Sequence, residues 1–237
     1  MELAQSTGAV LIGGQSVRIL QRRYSARVAE LKTLGAITSV DVDFLGNSKQ
    51  ANYLAEGLPD SVVHVPQPFD HITPNSAVIE GKIGGQSVTI DFMSQIIWVK
   101  EDQLKQRFLT LSAIGNDGSE IRILCMHPLD CLKNRLGNIN VLKRTDPMAI
   151  TTARAAVYIT DGFIDELLDI GETKDAQNAL QELEYIIRDK CAGQRSYIAF
   201  GIDPRVIIKK YATDSRLDPR YRELTLGGML RRVSGYR

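Results

Sequence analysis

The sequence predicts an α+β fold, with an N-terminal mixed β-sheet domain over residues 1–126 and an α-helical domain over residues 127–237. Three observations predict it. Short apolar or alternating runs bounded by glycine dominate up to Met126, and helical periodicity takes over beyond His127-Pro128. The first strand also leads straight through a glycine pair into a helix.

Ala9 to Ile12 is short, apolar and halted by Gly13-Gly14, which reads as a buried strand. Val17, Leu20, Tyr24, Val28, Leu31 and Leu34 then recur at steps of three and four, so the spacing predicts one helix face that Gly35 terminates. "ITSVDVDFLG" alternates with period two and reads as a second strand, with a turn at Gly46-Asn47 and a short helix over Ser48 to Glu56. The three prolines of "VPQPFDHITPNS" mark an ordered loop. Two hairpins follow, one around Gly84-Gly85 and one around Asn116-Asp117-Gly118. Between them Trp98 reads as core, with stacking on a base as the alternative.

In the second half Leu132, Leu136, Ile139 and Leu142 share a helix face. Asp146-Pro147 reads as an N-cap with proline at the first helical position. Thr173 is expected to cap a helix running through Cys191 and ended by Gly193, and Asp203-Pro204 and Asp218-Pro219 repeat the capping signature.

Composition excludes several classes of function. Lys and Arg total 29 against 28 Asp and Glu, so no global charge announces a nucleic-acid or membrane-surface protein. Cys125, Cys131 and Cys191 are odd in number and lack CxxC spacing, which argues against a disulfide framework or zinc site and for reduced cytoplasmic thiols. Neither a basic n-region nor eighteen consecutive apolar residues is present, so no export signal and no membrane span are expected. His64, His71 and His127 are scattered without ligand spacing, and no serine lies in a G-x-S-x-G turn. Charge is nonetheless uneven. Residues 161–184 hold eight acids and one lysine, and residues 203–237 hold nine Lys or Arg against four acids. The basic end reads either as a solvated helical surface or as a docking surface for a polyanion such as RNA.

The carboxylates carry the chemistry. Asp41 and Asp43 are two apart in an expected strand, so both project from one face while Val42 and Phe44 point to the other. Adjacent carboxylates resist ionising together unless a cation lies between them, which suits a hard divalent metal. Asp91, between Ile90 and Phe92 on another expected strand, repeats the setting and needs a reason to be there. If the two strands are neighbours the three acids converge, and three carboxylates can hold two Mg²⁺ ions about a transferring phosphorus.

Strand-Gly-Gly-helix in "LIGGQSVRIL", then "TSVDVDFLG", then the later strand acid of "TIDFM", resembles the nucleotidyltransferase fold of the DNA polymerase β superfamily. It is most similar to the minimal members, including the AbiEii type of abortive-infection and toxin proteins, and the resemblance covers roughly residues 1–145. It implies a nucleoside triphosphate with its phosphates against Gly13, Gly14 and the following helix N-terminus, where backbone N–H groups and the dipole favour an anion. Ser16 adds a hydroxyl in that reading. Asp41 and Asp43 resemble the metal-binding pair, and Asp91 the third acid, which ligates a metal and takes the acceptor's proton. "HPLDCLKNRLGNI" resembles the first helix after the catalytic sheet, with Lys133 or Arg135 as the cation turned to the nucleotide.

The expected activity is therefore Mg²⁺-dependent transfer of a nucleoside monophosphate from an NTP to a hydroxyl. RNA, a protein side chain and a small molecule such as an aminoglycoside stand as acceptors. A cognate antitoxin is the expected partner if the protein is a toxin, and the alternative is an inactive module that binds nucleotide or a partner.

Overall fold

The apolar run before the glycine pair forms β1, Val10–Ile12, and α1, Gly13–Tyr24, starts at the next residue. The computed structural model describes residues 6–37, 41–67, 73–100, 106–114 and 118–235. Thr38 to Val40 of the expected second strand, His71, and Asn116-Asp117 of the second hairpin lie outside the described residues.

The chain divides into two compact units. One comprises Met1–Ile19 and Ala36–Cys131, the other Leu20–Gly35 and Leu132–Arg237.

The first unit holds a seven-stranded mixed sheet. Its strands are β1, β2 (Val42–Leu45), β3 (Val62–His64), β4 (Asn75–Ile83), β5 (Gln86–Met93), β6 (Phe108–Ile114) and β7 (Glu120–Met126). They lie in the order β3-β4-β5-β2-β1-β7-β6. β1 is antiparallel to β2 and parallel to β7, and β2 is parallel to β5. The β4–β5 hairpin turns at Gly84 and Gly85, whose φ of 57° and 80° are the pair of positive values a two-residue turn matching strand twist requires. β6 and β7 form the second expected hairpin.

One sheet face carries the core of this unit, with Leu11, Phe44, Ala77, Ile79, Ile90, Phe92 and Ile123 packed under Ala51 and Leu54 of α3, Ser48–Glu56. That helix starts where the sequence placed it, because Asn47 and Gln50 form a reciprocal capping box. The alternation of strand residues then leaves the opposite face to Asp43 and Asp91.

The expected single helix from Val17 to Leu34 is two helices. α1 ends at Tyr24, and α2 is Glu30–Thr33. The buried Gln21 amide explains the break, donating to the carbonyls of Leu31 at 2.8 Å and Gly35 at 2.9 Å. On a continuous helix Leu31 would stand about 15 Å away, ten residues on. The apolar periodicity was sound all the same, since Leu20, Tyr24, Val28 and Leu31 are buried.

The second unit continues with α4 (Pro128–Asn140, whose first turn lies in the first unit), α5 (Pro147–Asp169), α6 (Thr173–Arg188), α7 (Gly193–Phe200), α8 (Arg205–Tyr211), a π-helical segment (Tyr221–Leu226) and α9 (Gly227–Ser234). Asp146 caps α5 through Ala149 N, with Pro147 at the first position. Asp218 accepts from Tyr221 N as its motif predicts. Other expectations need correction. α6 ends at Arg188, not Cys191, because the Asp189 carboxylate turns the chain by accepting from the amides of Cys191 and Ala192. Thr173 is the first helical residue rather than the cap, and the N-cap of α8 is Pro204 rather than Asp203. Leu142 lies beyond α4 and is exposed, and Trp98 is also exposed, held at φ 63° in a tight Ile96–Val99 turn. Among the described residues no helix is long and apolar enough to cross a membrane.

Candidate functional site

Strand register assembles the site. Ile12 of β1 is opposite Asp43 of β2, Asp43 is opposite Asp91 of β5, Asp91 is opposite Val78 of β4, and Val78 is opposite His64 of β3. Directly paired residues share a face, so these five form one row across the sheet. Asp43 and Asp91 are thus neighbours at about one strand spacing, roughly 5 Å between backbones. Phe44 and Phe92, each following its acid, stack on the opposite face with ring centroids 5.6 Å apart, which pins this register. Asp41 lies one residue ahead of β2, at the strand's entrance rather than within it.

The three acids share a field. The Asp91 carboxyl is pushed above the usual aspartate range, first by partial burial and then by the charges of Asp43 and Asp41.

Gly13 closes the site from above. It follows Ile12, the row neighbour of Asp43, and turns the chain into α1 with φ 67°. A Cβ there would lie 1.7 Å from Asp43 Oδ2 and 2.8 Å from Asp43 Cβ, so only glycine lets the backbone pass over that carboxylate. Ser16 is fully buried and donates to the Gly13 carbonyl at 2.8 Å, fixing the turn. Sequence reasoning gave Ser16 a place on the nucleotide; here its hydroxyl serves the backbone beneath.

Asn75 is a site residue that sequence reasoning missed. Its Nδ2 donates to Asp91 Oδ1 at 3.1 Å. A register shift between Asn75 and Ala77 puts it there, with Ser76 as the extra residue of a β-bulge. In unbroken register Ser76 would face Met93 and Asn75 would point to the core. The bulge places Asn75 opposite Met93, on the face of Asp91, while Ser76 Oγ donates to the carbonyls of Gly46 and Phe92. Only a bulge could have announced this contact, and a bulge at a polar Asn-Ser pair leaves no sequence signature.

Beyond Asn75 opens a cleft of about 590 Å³, lined by residues 63–67 and by Thr73, Asn75 and Val78. His64 and Val78 of the row belong to its wall.

Lys133 and Arg135 lie on the part of α4 that belongs to the second unit. Lys133 pairs with Glu182 at 2.6 Å, and Arg135 donates to Asn134 Oδ1 at 2.6 Å. Three cations of the basic C-terminal segment are matched to the acidic segment preceding it. Lys210 holds Asp161, Arg216 holds Asp165 and Asp169, and Arg232 holds Glu184 through both carboxylate oxygens. Arg27 joins Asp165 and Asp169 from the other side. These pairs lower the carboxyls of Asp169 and Glu184, each chiefly through its arginine hydrogen bond.

The pair Asp43 and Asp91 fits a hard divalent cation. Mg²⁺ is commonly held by one or two carboxylates with substrate phosphates completing its shell. Among the described residues no group of three or more His, Cys, Asp or Glu is placed to hold a metal ion, and the Asp43–Asp91 pair, with Asp41 one residue ahead of β2, is the acidic set found here.

No family model matches this chain, and no curated protein matches it. The crystal structure of JHP933 from Helicobacter pylori is similar over 99% of this chain and 88% of that one, at 12% identity and a TM-score of 0.38. A likeness of that degree decides neither fold family nor function.

Proposed function

We propose that the chain is a Mg²⁺-dependent nucleotidyltransferase that moves a nucleoside monophosphate from an NTP to a hydroxyl acceptor. The observation that carries this reading is the placement of Asp43 beside Asp91 in register, directly under the Gly13 turn that opens α1. The triphosphate lies along the glycine turn, where the backbone amides of a helix's first turn and the helix dipole favour an anion and Gly14 leaves room for close approach. Asp43 and Asp91, with Asp41 at the strand entrance, would hold Mg²⁺, which when bound neutralises charge on the phosphates. The acceptor oxygen bonds to the α-phosphorus as the bond to pyrophosphate breaks. Its proton passes to Asp91. Asn75 orients that carboxylate.

One observation favours a second reading, a nucleotidyltransferase-like module that binds a nucleotide or partner without turnover: no three-acid metal group is assembled among the described residues. Incubating the protein with each α-labelled NTP, Mg²⁺ and total cell RNA or protein separates the two. Label transfer and pyrophosphate release lost in Asp43→Ala support the enzyme; transfer that persists in Asp43→Ala removes the site assignment. Nucleotide binding by calorimetry with no pyrophosphate released supports the module. A toxin role belongs to the same proposal, and growth arrest on expression that Asp41→Ala abolishes is its signature.

A further inference from the structure

We infer that β6 is a self-association edge, pairing antiparallel with β6 of a second copy of this chain about a two-fold axis at Leu111. The inference goes beyond the nucleotidyltransferase reading and does not depend on it.

The strand itself is the first argument. β6 ends the strand order opposite β3, and among the described residues it pairs with β7 alone, so one row of its backbone N–H and C=O groups faces outward. Proteins blunt such edges with short strands, charged side chains, proline or bulges. β3, the other edge, is blunted by its length of three residues. β6 has none of these devices. It runs seven residues, FLTLSAI, without a charged residue or proline, and its register with β7 is unbroken from Phe108 opposite Met126 to Ile114 opposite Glu120. The inner strands β2, β4, β5 and β7 all carry charged residues, so an uncharged outermost strand reverses the usual pattern.

Self-complementarity is the second. A two-fold pairing is isologous: where residue i faces residue j, j faces i. With the axis at Leu111, Phe108 faces Ile114 and Thr110 faces Ser112. These four lie on the exposed side of the strand, Phe108 at 39% and Ile114 at 74%, whereas Leu111 is buried on the other side. The exposed side therefore reads apolar, hydroxyl, hydroxyl, apolar, the same in both directions. Aromatic–aliphatic and Thr–Ser pairs are among those that stabilise facing strands. The hydroxyls also match as donor and acceptor. Ser112 Oγ donates to Glu120 Oε1 at 2.7 Å, which leaves its oxygen to accept from the Thr110 hydroxyl of the second copy.

Other registers lose the match. An axis at Thr110 sets Phe108 opposite Ser112, and an axis at Ser112 sets Thr110 opposite Ile114. A half-step pairs side chains from opposite faces of the sheet. An unrelated strand would need no such symmetry in the edge it meets, and that symmetry is what selects a second copy as the occupant.

The test is sedimentation equilibrium of the full chain from about 1 to 100 μM, beside two double variants at the exposed positions. Thr110→Lys with Ser112→Lys sets like charges face to face across the axis, and Thr110→Lys with Ser112→Glu sets opposite charges there. The expected result is a dimeric parent, dimerisation weakened about tenfold or more in the first variant, and a dimer recovered in the second, with circular dichroism showing each folded. A parent monomeric throughout overturns the inference and leaves the edge to a strand of another protein. A dimer equally tight in the first variant overturns the placement of the contact on β6, and a second variant that is folded but monomeric overturns the axis at Leu111. Hydrogen exchange on the parent decides without any substitution. The outward-facing amides among residues 108–114 should slow as concentration rises through the dissociation constant, and amides indifferent to concentration overturn the β6 contact.

Discussion

Replacing Gly13 by alanine tests the geometry on which the site depends. Two costs add. An L-residue at φ 67° loses about 1–2 kcal/mol to the left-handed conformation. The new Cβ, 1.7 Å from Asp43 Oδ2, 2.6 Å from Cγ and 2.8 Å from Cβ, forces the carboxylate off its rotamer at a further ~0.5–1.5 kcal/mol. The total is about 1.5–3.5 kcal/mol, or a fall in melting temperature of roughly 3–14 °C for a chain of this size. Urea and thermal melts measure it. The two contributions separate in a double-mutant cycle with Asp43→Gly, which deletes all three clashing atoms. In that background only the backbone cost remains, so Gly13→Ala should be milder by about 1 kcal/mol. A cost below about 0.5 kcal/mol in the parent, or an identical cost in both backgrounds, would refute the placement of Gly13 against Asp43.

Other outcomes follow from the same contacts. Gly14→Val should raise the NTP dissociation constant tenfold or more, about 1.4 kcal/mol, with the fold largely intact; calorimetry beside a thermal melt checks both halves. The Asp91 carboxyl is raised in the folded state, so the folded chain holds its proton to higher pH than the unfolded one. Asp91 therefore contributes a loss of stability as pH climbs from the ordinary value of 3.8 through the higher folded one, and Asp91→Asn should abolish that slope while ending transfer. Arg107 donates from Nε and Nη2 to the fully buried Asp130 carboxylate at 2.9 and 2.5 Å, so Arg107→Ala should cost about 3–5 kcal/mol in urea unfolding by leaving a buried charge poorly matched. Asp169, Asp214 and Glu184 are all lowered by arginine partners; their contribution is complete above the unfolded values of 3.8 to 4.5 and is lost as pH falls through the lower folded ones. An acid titration of helical circular dichroism, repeated in 1 M salt, should show the transition weakened by screening.

Much of the scaffold could be read from the sequence because its signals are local. Gly84-Gly85 demands a two-residue turn, Asn47 with Gln50 demands a helix start, and Asp146-Pro147 does the same for α5. The glycine after β1 was legible as a junction for the same reason. What escaped depended on partners far along the chain. Gln21 ends α1 by reaching Leu31 and Gly35, Asn75 finds Asp91 only through a bulge, and Asp130 is matched by Arg107 from before β6. Lys133, read from the sequence as a cation turned to a nucleotide, pairs with Glu182 from a helix forty residues on.

The sequence by itself determined which residues are the candidates: two acids spaced for one strand face, a third in an apolar strand, and a glycine pair before a helix. Only the tertiary structure decided that Asp43 and Asp91 face each other, that Gly13 passes over Asp43, and that the row continues into a cleft without cations. The physical reason is that spacing along a chain fixes which face a side chain takes, whereas strand order and register, set by packing such as the Phe44–Phe92 stack, fix its neighbour across the sheet.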